Sequence, residues 1–200
     1  MRNKLVYICC LLILSACTAT PPKNSENICE IFREKNDWYD AAQESFERWG
    51  VPVHVQMAIM HQESRFVADA QPPRPRLLGI IPWFRSSSAY GYAQAQDGTW
   101  DDYLNNGGKW GADRDDFADS CDFIGWYCAI SQKKLNISKS DTRHLYLAYH
   151  EGHAGYRQQS YRHKRWLLNT ANKVARKATQ YHAQLSHCQK EFESKSWFFW

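Results

Sequence analysis

Beyond its first seventeen residues, this 200-residue chain has no second apolar run long enough to span a bilayer. It has no Cys-x-x-Cys pair, so the usual framework for a structural metal is missing. It shows no internal repeat, and stretches that read as strands are few and short. Between Arg157 and Lys190 there is no acidic residue, against eight Lys or Arg. These absences exclude a body threaded through a membrane, a repeat array and a thiolate metal module. What remains is a chain of single-domain length, rich enough in apolar and aromatic residues to bury a sizeable core.

The N-terminus is basic (Met1-Arg2-Asn3-Lys4), followed by apolar residues from Leu5 to Leu14, a run too short for a comfortable span. It ends in Leu14-Ser15-Ala16-Cys17, which resembles a bacterial lipobox. That resemblance implies cleavage before Cys17 and lipidation of Cys17. Two or three acyl chains there would hold the protein stably on a membrane. A plain secretory signal with a stray cysteine is the alternative. Thr18 follows the cysteine where an aspartate would signal retention, so the expectation is an outer-membrane lipoprotein facing the periplasm. On this reading residues 1–16 are a signal peptide, 17–28 a lipidated tether, 29–190 the folded domain and 191–200 an aromatic tail.

With Cys9 and Cys10 lost with the signal and Cys17 lipidated, Cys29, Cys121, Cys128 and Cys188 remain. An even set in an exported chain points to two disulfides, and four cysteines allow three pairings. The pairing expected is Cys29–Cys188, first helix to last, with Cys121–Cys128 as a local bridge. The second would need a break, because seven residues of continuous helix span about 10 Å.

Charge is uneven. Asp97 to Asp122 holds eight aspartates against Lys109 and Arg114, whereas 157–190 is wholly basic. The basic stretch suits an anionic surface or polymer, or the acidic middle of the same molecule. Nucleic acid is not an expected partner of an envelope protein.

Helices account for most of the chain. Asp37 is placed to cap one running through Trp49 and ended by Gly50. Pro52 opens the next, with Val53, Met57 and Met60 on one stripe and Val55 and Ile59 beside it. Glu63 lies three and four residues beyond Met60 and Ile59, at the edge of that face. A carboxyl held against apolar groups is hard to ionise, which suits a general acid near neutral pH. Residues 71–88 carry Pro72, Pro73, Pro75 and Pro82 with Trp83 and Phe84, a long loop no helix can cross. Further helices are expected from Asp97 through Leu104, from Asp115 or Asp116 through Leu135, and from Asp141 to a stop at Gly152. The last carries Leu167, Ala171, Val174, Ala178, Tyr181, Leu185 and Cys188 on one stripe. The terminal Trp197-Phe198-Phe199-Trp200 can dock on the domain, a membrane interface or a partner, and a cell-envelope machine is a candidate for the last.

Three pieces in order resemble the soluble lytic transglycosylase (SLT) catalytic domain, a relative of goose-type lysozyme. Gln62-Glu63-Ser64-Arg65-Phe66 is similar to the family's helix ending in Glu-Ser-x-Phe. Gly91-Tyr92-Ala93-Gln94 stands for Gly-Leu-Met-Gln, and Ala148-Tyr149-His150-Glu151-Gly152 for Ala-Tyr-Asn-x-Gly. The likeness covers roughly 38–166. It implies a mainly α, lysozyme-like single domain with the proline-rich loop at its cleft. His150 in place of asparagine, and Tyr92 and Ala93 in place of leucine and methionine, depart from the pattern at substrate contacts.

The resemblance further implies cleavage of the β-1,4 bond from N-acetylmuramic acid to N-acetylglucosamine in peptidoglycan glycan strands, without metal or organic cofactor. Glu63 would act as acid and then base, closing a 1,6-anhydro ring. Ser64 would support the acid, and Gln94, Tyr149 and His150 would contact the glycan. The alternatives are a hydrolase of the same bond, with Asp97, Asp101 or Asp102 as second carboxylate, and a non-catalytic peptidoglycan-binding lipoprotein.

Overall fold

The computed structural model describes residues 20–74, 76–77, 81–82 and 87–196. Cys17, Trp83, Phe84 and residues 197–200 lie outside these. Among the described residues the architecture is mainly helical: α1 (Ile28–Glu34), α2 (Trp38–Trp49), α3 (Val53–Ser64), α4 (Asp97–Asn106), α5 (Phe117–Leu135), α6 (Thr142–Arg157) and α7 (Arg165–Ser196). Two short strands, β1 (Arg76–Leu77) and β2 (Ile81–Pro82), pair antiparallel inside the proline-rich loop, Leu77 opposite Ile81. No described helix is long and apolar enough to cross a membrane.

Local chemistry fixes the helix ends. The Asn27 side chain accepts from the N–H groups of Cys29 and Glu30, Asp116 from Asp119 and Asp141 from His144. These supply partners for donors that a helix start leaves open. Asp97 lies inside α4 rather than capping it, since the cap position falls on Gln96.

α3 departs from the amphipathic stripe read in the sequence. Val53 and every residue from Val55 to His61 are buried, so apolar side chains face inward all round. A helix of that kind belongs in the middle of a domain. It packs on α2, α5, α6 and α7. Glu63 therefore emerges from the end of a central helix, not from the edge of a surface one.

α7 follows its stripe closely. Leu167, Ala171, Val174, Ala178, Tyr181, Leu185 and Cys188 are all buried. The stripe runs one step further, to Phe192, whose ring meets Phe32 at 5.6 Å and Tyr39 at 5.2 Å. Phe192, assigned to the tail by sequence, is core. Cys29 and Cys188 form the expected disulfide, with 6.0 Å between Cα atoms, joining α1 to α7. The segment read as tether is held down as well. Pro22 is buried, Tyr181 donates to the Ser25 carbonyl, and Gln180 and Gln184 donate to that of Glu26.

The second disulfide is absent. Cys121 and Cys128 are free, buried thiols on the unbroken α5. Two turns of continuous helix hold them too far apart to bond. The acidic middle and the basic final helix do not neutralise each other either. Asp122 pairs with Arg48 and Asp97 with Arg114, whereas Lys164 and Lys177 of the basic stretch pair with Glu151 and Glu26.

Candidate active site

Glu63 is the penultimate residue of α3, and the chain turns sharply after it. Arg65 and Phe66 both adopt left-handed backbone angles, φ 55° and 63°, costly for two successive side-chain-bearing residues. The surroundings enforce the turn. Ser64 Oγ accepts from the Phe66 N–H at 3.1 Å, and Phe66 is fully buried beside Trp38. Ser64 thus holds the helix end that carries Glu63 and is not a cleft-lining residue.

The Glu63 carboxyl lies among α6 side chains. It is hydrogen-bonded to Tyr146 and electrostatically coupled to Tyr149. Part of the residue remains accessible to solvent, yet protein crowds the carboxyl itself. Burial pushes its pKa from the ordinary 4.5 up to about 7, and the Tyr146 hydrogen bond offsets only part of that rise.

The Gly91–Gln94 turn forms the opposite wall. Gly91 has φ +79°, and a Cβ there would lie 1.9 Å from the Arg114 carbonyl oxygen, so only glycine fits. Tyr92 is buried edge-on to both Trp38 and Phe117, which stack at 3.8 Å. Gln94 donates both amide hydrogens inward, to the carbonyls of Ala70 (2.7 Å) and Gly91 (2.9 Å), leaving Oε1 as the acceptor it can offer a ligand. Tyr149 donates to the Ala93 carbonyl at 2.6 Å, tying α6 to this turn.

Between the walls lies a cleft of about 270 Å³ lined by Gln94, Phe123, Tyr127, Tyr149 and His150 among others. A second cavity of about 520 Å³ shares Thr99, Tyr127 and Gly152 with it, so the groove is elongated, as an extended ligand requires. Glu63 does not line the first cavity. Its carboxyl is coupled electrostatically to Tyr149, which does. Of the three aspartates named as a second carboxylate, Asp97 is paired with Arg114 at 2.8 Å and Asp102 borders the second cavity.

Gly152 does not end α6. It interrupts the helix with φ 72° and ψ 161°, after which the helix resumes to Arg157. The kink lets three residues just before it line the cleft. One is Glu151, whose side chain is only 3% exposed and which binds Lys164, Ser160 and His150. Burial raises its pKa, but donation from Lys164, Ser160 and His150 outweighs that and leaves the carboxyl below its ordinary value.

Of the residues singled out in the sequence, Gln94, Tyr149 and His150 line one cleft and Glu63 is coupled to it through Tyr149; two features were missed. Tyr146 was missed although it precedes Tyr149 by three residues on the same helical face, a legible signal. The Lys164–Ser160–Glu151 cluster joins residues 9 to 13 apart across a kink, which no local pattern announces. Among the described residues no group of three or more His, Cys, Asp or Glu could hold a metal ion.

A mainly helical domain with a protonatable glutamate at the end of its central helix, beside an aromatic groove, is lysozyme-like in design. The chain belongs to the transglycosylase SLT domain family, whose model matches residues 5–188. Membership gives it a lytic transglycosylase-type function on peptidoglycan glycan strands. No curated protein and no solved structure matches the chain.

Proposed function

We propose that the protein cleaves the β-1,4 bond between N-acetylmuramic acid and N-acetylglucosamine without consuming water, releasing 1,6-anhydromuramyl ends. The observation that carries this reading is the Glu63 carboxyl, withdrawn from water at the end of α3 and bonded by Tyr146 beside the groove. With a pKa near 7, Glu63 holds a proton on a substantial fraction of molecules at neutral pH and gives it to the leaving glycosidic oxygen. The substrate's N-acetyl oxygen then stabilises the anomeric carbon, as in glycosidases that dispense with a second carboxylate. Ionised Glu63 takes the proton of the muramyl C6 hydroxyl, which attacks and closes the ring. A pKa close to ambient pH serves both steps.

Gln94 Oε1 and His150 contact the glycan, and Tyr149 holds the wall against which the acid works. Ser64 positions Glu63 through the strained turn. Cys17, by its lipobox, carries the lipid that fixes the enzyme to the outer membrane facing the periplasm. Digestion of purified sacculi followed by mass spectrometry tests the chemistry. Anhydro-muropeptides, lighter than hydrolytic products by one water, are expected, and reducing ends from water addition would sink the proposal.

A further inference from the structure

His150 and Trp166 form a shelf beside the groove. Trp166 is 56% exposed, and its ring meets that of His150 edge-on at 5.1 Å. His150 lines the cleft, and its Nδ1 lies 3.1 Å from Glu151 Oε1. Glu151 is held in turn: Lys164 Nζ reaches both its oxygens, at 2.8 and 2.9 Å, and the Ser160 hydroxyl donates to Oε2. One short segment, 160–166, thus fixes the carboxylate and also supplies the indole.

A carboxylate with this set of donors is an acceptor only, so Nδ1 must be the nitrogen that carries the hydrogen. In the neutral ring Nε2 is then a lone-pair acceptor, with no protein partner among the described residues. Free imidazole is under no such constraint. An acceptor on a cleft-lining ring beside an exposed indole fits a hexopyranose, with an apolar ring face for the indole and a hydroxyl or acetamido N–H at its rim for the acceptor.

We infer that His150 and Trp166 form a sugar-binding subsite of the groove, with Glu151 as the positioning residue that sets which imidazole nitrogen meets the ligand. The inference rests on the transglycosylase reading of the same groove. It concerns how an N-acetylhexosamine unit is held, not how its bond is cut.

Two measurements on the full chain test it. In ¹⁵N spectra of the imidazoles, His150 is expected in the Nδ1–H form, and Glu151→Gln is expected to release it to a mixture. An Nε2–H form in the wild type overturns the role of Glu151. In a Glu63→Gln background, which stops turnover, binding to an N-acetylglucosamine tetramer is measured. Trp166→Ala and Glu151→Gln are each expected to weaken it about tenfold, while Lys164→Arg retains it and all melt cooperatively. Unchanged affinity in Trp166→Ala overturns the subsite. In the active enzyme Glu151→Gln is expected to raise KM for sacculi with kcat within about twofold; an equal loss in kcat and kcat/KM overturns the positioning role. Binding of the tetramer without cleavage of sacculi by the wild type would defeat the transglycosylase reading and leave the subsite standing.

Discussion

Glu63, at the end of α3, and Glu151, at the kink of α6, are both acids withdrawn from water, yet they are driven in opposite directions. Around Glu63 the neighbours are apolar side chains and two tyrosines, and the pKa rises to about 7. Around Glu151 an ammonium, a hydroxyl and an imidazole converge, and the pKa falls. Burial alone does not decide which carboxyl can act as an acid. The decision lies with whether a cation comes with it.

The largest effect expected from breaking this contrast is on turnover. Glu63→Gln keeps shape and hydrogen bonding but cannot donate and recover a proton, and cleavage of sacculi is expected to fall about 10³-fold. Wild-type-like release of muropeptides by this variant would remove Glu63 from the chemistry. The same substitution sharpens the contrast through stability. Between pH 4.5 and 7 the folded protein holds a proton on Glu63 that the unfolded chain has lost, so wild-type stability declines as pH rises through that window. The decline is on the order of 3 kcal/mol at most. Glu63→Gln escapes it, and should be more stable than wild type at pH 8 and near parity at pH 4. His54 and His61, both depressed to about 4 by burial, slope the other way in each protein and cancel in the difference. Urea melts of the two proteins across pH would show a constant offset if Glu63 were ordinary.

Lys164→Met makes Glu151 resemble Glu63 by removing its cation. Because Lys164 is itself 41% exposed, the cost is expected to be about 2 kcal/mol at pH 7, below the figure for a fully buried pair. Glu151's contribution is present above the ordinary carboxylate value and lost as pH falls below it toward the lowered folded value, so the penalty should shrink in acid. A penalty that grows in acid would contradict the pairing. The smallest effect comes from Tyr146→Phe. Losing its hydrogen bond raises the Glu63 pKa further, and the alkaline limb of the kcat profile should move upward by less than one pH unit. A downward shift would show that Tyr146 does not favour the ionised form.

The helices that carry one side of this contrast were legible in the residues. Gly50, Pro52 and the buried run to His61 announced α3, because helix punctuation and burial act locally. The α7 stripe was legible because its period survives from Leu167 to Cys188, about six turns. What escaped depends on distant partners. α3 was read as one-sided because a dense apolar run looks alike on a surface and at a centre, and only the helices around it decide. Cys121–Cys128 failed because nothing in the spacing breaks α5. Gly152 signalled an interruption, but the resumption to Arg157 hangs on contacts with α7 and the turn at 160–163. Glu63 itself was found at the edge of an apolar face and by resemblance to a motif, and its raised pKa follows from burial of the carboxyl by elements far off in sequence, a rise that the Tyr146 hydrogen bond opposes.

The docking of residues 22–28 along α7 has a mechanical consequence. Any pull on the chain ahead of residue 20 enters the fold through carbonyl clasps at Ser25 and Glu26, then through a covalent link from Cys29 to Cys188. Tension applied at the leading end therefore runs into the longest helix and its sulfur bridge. Part of it also reaches the strained turn that aims Glu63, because the Glu26 carboxylate lies 3.4 Å from His61 Nε2 and 3.9 Å from Arg65 Nη1.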